Sequence, residues 1–107
     1  MPTPMGERIR ELRLKNGLTL EALAERVGSS KSYMWEIENK DVARPSAEKL
    51  HLIANGLDTT TGYLLATNDV TEADAADLAF FRNYQKMNVK SKEKLRGMLK
   101  ILDDEDE

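Results

Sequence analysis

The sequence predicts an all-α protein, a five-helix domain over residues 1–66 followed by a two-helix hairpin over residues 67–107 that ends in an acidic tail. Three observations carry this prediction. Apolar residues recur at three- and four-residue spacing along most of the chain. Ser, Thr and Gly punctuation falls at helix-length intervals. No segment shows the two-residue alternation of a half-buried strand.

Met5, Ile9 and Leu12 place a first helix from about Met5 to Lys15, and Asn16-Gly17 supplies a left-handed stop. Thr19 suits the N-cap of a second helix with an Ala22, Leu23 and Val27 stripe, and Gly28 ends it. Ser29-Ser30 offers the next cap, opening a third helix to about Glu38 with Met34 and Ile37 facing inward. Ser46 caps a fourth helix carrying Leu50, Ile53 and Ala54, closed by Gly56 or Asp58. Thr60 or Thr61 opens a short fifth helix with Tyr63, Leu64 and Leu65, and residues 67–70 read as a connector. Thr71 to Asp74 begins a sixth helix to about Met87, with Asp74 in the first turn where a negative charge suits the helix dipole. Asn88 to Lys90 reads as a turn and Ser91 as the cap of a seventh helix through Leu102. The closing run Asp103-Asp104-Glu105-Asp106-Glu107 reads as frayed and solvated.

Composition removes several classes of function. The 107 residues match one ordinary domain. Without cysteine there is no disulfide scaffold and no cysteine-ligated zinc or redox site, and the chain suits a reducing cytoplasm. No apolar run reaches the length of a membrane span, and the N-terminus has no signal-peptide core. His51 is the single histidine, so it forms neither a metal cluster nor a catalytic pair on its own, and no glycine-rich phosphate loop is present. The expectation is a soluble, cytoplasmic binding protein, not an enzyme, with no metal, no cofactor and no membrane contact.

Net charge at first argues against a nucleic-acid partner, because the total is −3 and DNA binders are usually basic. Residues 1–66 balance nine Lys/Arg against nine Asp/Glu, while residues 67–107 carry seven against ten. The whole deficit therefore lies in the second segment. Any DNA binding must rest on how the basic residues of the first are arranged.

The informative stretch is Leu18 to Glu38, a helix, a turn at Val27-Gly28-Ser29, and a second helix. Gly28 can take the positive φ that lets two helices meet steeply. The second helix of such a pair can enter a major groove. Around it stand Gly6-x-x-Ile9-x-x-Leu12-Arg13, Gly17-Leu18-Thr19, Leu23-Ala24-x-x-Val27-Gly28, Ile37-Glu38-Asn39, Arg44-Pro45-Ser46, Leu50-x-x-Ile53-Ala54 and Leu57. This ordered set over residues 5–66 resembles the XRE/Cro-type domain, the five-helix fold of lambdoid-phage repressors. The resemblance implies a bacterial or phage-type transcription regulator, with double-stranded DNA as partner and a palindromic operator as target.

By that resemblance the recognition helix is about Ser30–Glu38, with Ser30, Lys31, Ser32, Tyr33, Trp35 and Glu36 as candidates for base contact. Lys31 can donate to guanine O6/N7 or to a phosphate, and the serines reach a base edge or the backbone. Glu36 only accepts, so it reads a cytosine amino group or stays solvated. Tyr33 and Trp35 pack either on thymine methyl groups or within the protein. Phosphate contacts map onto Thr19, Asn39, Lys40 and Arg44. Two positions depart from the family pattern. Leu20 replaces a phosphate-binding glutamine. Lys40 stands where relatives place glycine, at a cost of about 1 kcal/mol if the turn there is left-handed, unless Asn39 absorbs it. Arg13 and Glu38 match a semi-buried salt bridge that sets the angle of the recognition helix.

The hairpin is extra to that fold. Ala76, Phe80, Tyr84 and Met87 follow one helical path with Leu78 and Phe81 beside it, and Leu95, Met98, Leu99 and Leu102 form a second stripe. Two short helices cannot bury that surface against each other alone. Dimerisation through Phe80, Phe81, Tyr84, Met87, Leu95, Met98, Leu99 and Leu102 is the expectation, giving a homodimer for two half-sites. An intramolecular lid and a docking surface for another protein are the alternatives, the latter fitting an antitoxin- or adaptor-like interaction module.

Overall fold

The computed structural model describes residues 3–41, 45–65 and 71–105. It contains α1 (Pro4–Lys15), α2 (Leu20–Val27), α3 (Lys31–Asn39), α4 (Ala47–Gly56), α5 (Thr61–Leu65), α6 (Glu72–Lys86) and α7 (Val89–Glu105), with no strand among the described residues. Helix starts follow local chemistry. Thr3, Thr19, Ser30, Ser46 and Thr71 each cap a helix by accepting a hydrogen bond from the N–H three residues on. Thr60 does the same for α5, accepting from Tyr63 N at 3.2 Å.

Helix ends are set by a repeated device. At the ends of α1, α2 and α4, paired bonds run from residue 17 to 14 and 18 to 13, from 28 to 25 and 29 to 24, and from 58 to 55 and 59 to 54. This is the Schellman arrangement, which needs one left-handed residue. Gly17 (φ +69°) and Gly28 (φ +67°) provide it in α1 and α2, and Asp58 (φ +53°) provides it in α4. Gly56, the other candidate for closing α4, is the last helical residue and serves packing instead. A Cβ there would lie 3.0 Å from Val27 Cγ1.

One core joins the helices. Ile9 and Leu12 of α1, Leu23, Ala24 and Val27 of α2, Met34 and Ile37 of α3, Leu50, Ile53 and Ala54 of α4, then Leu57, Tyr63 and Leu64, are all buried. In this cluster α1 packs on α3 and α5, and α2 on α3 and α4. The α1–α3 approach is so close that a Cβ on Gly6 would lie 2.4 Å from Ile37 O, so only glycine fits.

Helix α6 returns to this head through its small-residue face. Ala75 and Ala79 are buried, Lys15 Nζ donates to Glu72 Oε1 at 2.7 Å, and Arg82 Nη1 donates to Thr59 O at 3.1 Å. On its aromatic path Phe80 is 56% exposed, with Leu78 and Phe81 similar, while Tyr84 is half-buried beneath Lys92 and Arg96 of α7, 5.3 and 5.8 Å from its ring centroid. The lid alternative is thus met only by the alanine face.

Helix α7 departs from expectation at both ends. Asn88 Oδ1, not Ser91, caps it, accepting from Ser91 N at 2.8 Å, and the helix starts at Val89. At its far end Asp103 to Glu105 continue the helix instead of fraying. Through Asp104 none of its side chains is buried. The radius of gyration, 16.2 Å, exceeds the roughly 13 Å of a compact chain near this length.

Candidate nucleic-acid interface

Helix α3 is held from behind and left free in front. Met34 and Ile37 enter the core, and Glu38 beside them carries a buried carboxylate. Arg13 of α1 meets that carboxylate in a two-pronged pair, Nε to Oε2 at 2.7 Å and Nη2 to Oε1 at 3.0 Å, while its Nη1 donates to Leu18 O at 2.9 Å. A planar guanidinium satisfied on three sides can sit in the interior without an orphaned charge. It joins α1, the α1–α2 loop and the end of α3 in one contact.

The outward face of α3 comprises Lys31, Ser32, Trp35 and Glu36, which line one shallow open depression. Trp35 is 45% exposed and faces out, and Lys40 Nζ lies 5.6 Å from its ring centroid, within cation–π range. Tyr33, in contrast, is half-buried and packs against the core. Ser30 spends one lone pair on its cap, accepting from Tyr33 N at 3.1 Å, and keeps a hydroxyl to donate. Lys31 Nζ rests 3.3 Å from Glu21 Oε1, both side chains exposed, so this contact is weak and easily exchanged.

The flanking candidates are placed as follows. Thr19 Oγ1 is engaged as the α2 cap, accepting from Ala22 N at 3.0 Å. Asn39 Nδ2 donates to Trp35 O at 2.9 Å. Lys40 is exposed and extended (φ −121°, ψ 154°), so the left-handed cost anticipated for a non-glycine residue does not arise. The chain leaves α3 extended at Lys40, and the Asn39 amide caps the Trp35 carbonyl. Arg44 lies outside the described residues.

Three contacts at this surface escape sequence reasoning. Glu21 competes for Lys31. Lys49 Nζ donates to Ser29 Oγ at 2.7 Å, bracing the turn between α2 and α3. Arg8 stacks 4.5 Å over the Tyr63 ring and donates to Tyr63 O, locking α1 to α5. Each joins residues ten or more apart with no shared periodicity. Among the described residues no group of three His, Asp or Glu side chains gathers to hold a metal, and no helix is long and apolar enough to cross a membrane.

A rigid helix pair on a five-helix head, with the second helix open along one face, defines a helix-turn-helix module. The chain belongs to the helix-turn-helix domain family, whose model matches residues 4–67. It is 37% identical over 70 residues to the HTH-type transcriptional regulator SinR of Bacillus licheniformis, covering 65% of this chain and 63% of that protein. The Bacillus subtilis (strain 168) SinR is 36% identical over the same length, with the same coverage. The matched region thus spans a little under two thirds of these curated relatives. Among solved structures, SinR, the master regulator for biofilm formation, in complex with DNA matches with TM-score 0.55 at 36% identity, over 57% of this chain and 97% of that one. A SinR protein/SinI protein complex matches with TM-score 0.56 at 25% identity, over 94% of this chain and 98% of that one, so this likeness extends into the hairpin.

Proposed function

We propose that this protein is a sequence-specific DNA-binding transcriptional regulator, a repressor or autoregulator that acts as a homodimer on a palindromic operator. The observation that carries the reading is the state of α3. Its inner face is buried and its end is fastened by the Arg13–Glu38 pair, while its outer face stays open, touched from another helix only by the exposed Glu21 of α2 at Lys31 among the described contacts. The similarity to a regulator solved with DNA supports the same reading. In this reading Lys31, Ser32, Trp35 and Glu36 present the base-reading edge with Ser30 and Tyr33 beside it, and Thr19, Asn39, Lys40 and Arg44 are the candidates for phosphate contact. Arg13 and Glu38 are structural. The protein has no enzymatic role in this reading and works in the cytoplasm, where its operator is.

Selection of bound fragments from a random DNA pool tests this. Lys31→Ala is expected to weaken binding to the selected site by about 1–3 kcal/mol and to relax preference at one base pair, with the fold unchanged. Equal binding by wild type and variant to every fragment would remove Lys31 from the reading edge. Affinity is expected to fall steeply with salt, as counterion release requires. A salt-insensitive interaction would favour the second reading, in which the hairpin docks another protein. That reading draws on the likeness to a regulator solved with a protein partner, because the match reaches the exposed stripes of α6 and α7.

A further inference from the structure

Lys31 stands on the ridge between two depressions. On one side, with Ser32, Trp35 and Glu36, it lines the open face of α3. On the other, with Arg13, Thr19, Leu20 and Glu21, it lines a cleft where the starts of α2 and α3 meet. Its ammonium can therefore turn to a base edge or to the backbone phosphates. Of the two cations among the described residues of the cleft, Arg13 is already spent on Glu38 and on Leu18 O. Lys31 is the cation left to bind a phosphate there. The start of a helix attracts an anion through its free N–H groups and its positive dipole end. In α2 that anion is built in, because Glu21 lies in the first turn. Its carboxylate is exposed and takes the Lys31 ammonium at 3.3 Å, whereas Glu36 makes no ion pair with Lys31 among the described residues.

We propose that Glu21 is a positioning residue for sequence reading: by occupying the phosphate side of the ridge, it reserves Lys31 for the groove. The inference rests on the DNA-binding reading above and decides a choice which that reading leaves open. On DNA of arbitrary sequence, a phosphate entering the cleft meets the Glu21 carboxylate well within the screening length of about 8 Å at physiological salt, and is repelled. It must also displace that carboxylate from Lys31. A guanine instead presents O6 and N7, which are neutral acceptors, from the groove side. Lys31 can exchange its weak, exposed pair for them without bringing a second negative charge against Glu21. The carboxylate thus subtracts from non-specific affinity and leaves base reading intact. A head whose nine Lys/Arg are matched by nine Asp/Glu gains little from general attraction to DNA, so its selectivity depends on the ratio between the two.

Four full-length chains test this: wild type, Glu21→Gln, Lys31→Ala and the double variant. Each is measured on the selected site and on a duplex of random sequence, between about 50 and 200 mM salt. Glutamine keeps the size of the side chain and removes its charge, Thr19 still caps α2, and thermal melting checks that the fold is kept. Glu21→Gln is expected to tighten binding to the random duplex about fivefold at the lower salt, and to steepen the log–log salt slope by about 0.9, the value of one added phosphate contact. Affinity for the selected site should change little, so discrimination falls. In the Lys31→Ala chain the same substitution should leave the slope as it was. A slope that steepens equally without Lys31 would reveal plain repulsion and overturn the positioning role. So would a Glu21→Gln chain that binds both duplexes as wild type does; in either case the DNA-binding reading stands. Failure of all four chains to bind either duplex overturns both.

Discussion

Helices α3 and α7 each present an exposed face, but for opposite physical reasons. The outer face of α3 is mostly polar and its inner face is closed by Met34, Ile37 and the buried Glu38 carboxylate, so the helix is held in position before it meets anything. The exposed surface of α7 carries an apolar stripe among its charges, with Met98 61% exposed, and no side chain of the helix through Asp104 is buried. A helix that reads base edges gains from being fixed in advance, since ordering it on binding would subtract from affinity. A helix that joins two copies can take its order from the partner, and that is the use proposed here for the exposed apolar stripe of α7. The contrast sets a head with a closed core, to which Ala75 of α6 contributes, against a terminal helix none of whose side chains through Asp104 is buried.

The sharpest way to break this contrast is to damage the back of α3. Glu38→Ala leaves the Arg13 guanidinium buried without its carboxylate, and about 3–5 kcal/mol of stability is expected to go. Chemical denaturation of the variant checks it. An unchanged midpoint would mean that the pair holds nothing in place. Next in size is Gly6→Ala, which drives a methyl group into the Ile37 carbonyl. Overpacking of this kind costs about 1–3 kcal/mol, read in the same melt. A neutral result would show that α1 and α3 separate without loss.

On the hairpin the expectation reverses. Leu99→Ala removes a half-exposed side chain, so in dilute solution the shift should stay within about 0.5 kcal/mol. Its effect should appear in sedimentation, as a dimer lost at concentrations where wild type still pairs. A large loss of stability in the single chain would make α7 part of the head after all.

The smallest effect belongs to the Lys15–Glu72 contact between α1 and α6. Its hydrogen bond and the nearby carboxylate charge hold the Lys15 ammonium above its ordinary value. A raised lysine contributes fully below its unfolded value of about 10.4 and loses the contribution only as pH rises through the folded value. The small melting difference between wild type and Lys15→Ala should therefore be flat between about pH 6 and 9. A difference that disappears within that window would place the stabilisation elsewhere.

Much of the head was legible because its signals are local. Thr19, Ser30, Ser46 and Thr71 cap by bonding three residues on, and Gly17 and Gly28 close helices by a conformation open to glycine. Local signals failed where two neighbours offered equal chemistry. Asn88 and Ser91 are both good caps, and Asn88 won by accepting from Ser91 itself. Gly56 and Asp58 both suit a helix end, and packing against Val27 claimed the glycine. Lys40 was read through its relatives' glycine, yet the chain here continues extended. The periodicity of α6 showed the aromatic path but not that the alanines would turn inward. That choice depends on how close the head allows a helix to come, which no single helix encodes. Within the interface, the sequence marked the exposed edge of α3, while the Glu21 and Lys49 contacts depend on tertiary approach.

The central claim is that a rigid head reads DNA and the hairpin pairs two such heads. The most direct measurement is the mass of the full-length complex on a selected palindromic site, compared with a single half-site of the same sequence, across protein concentration. The account predicts two chains per palindrome, binding that steepens with concentration, and much weaker occupancy of the half-site. One chain per site, with equal affinity for palindrome and half-site, would contradict it.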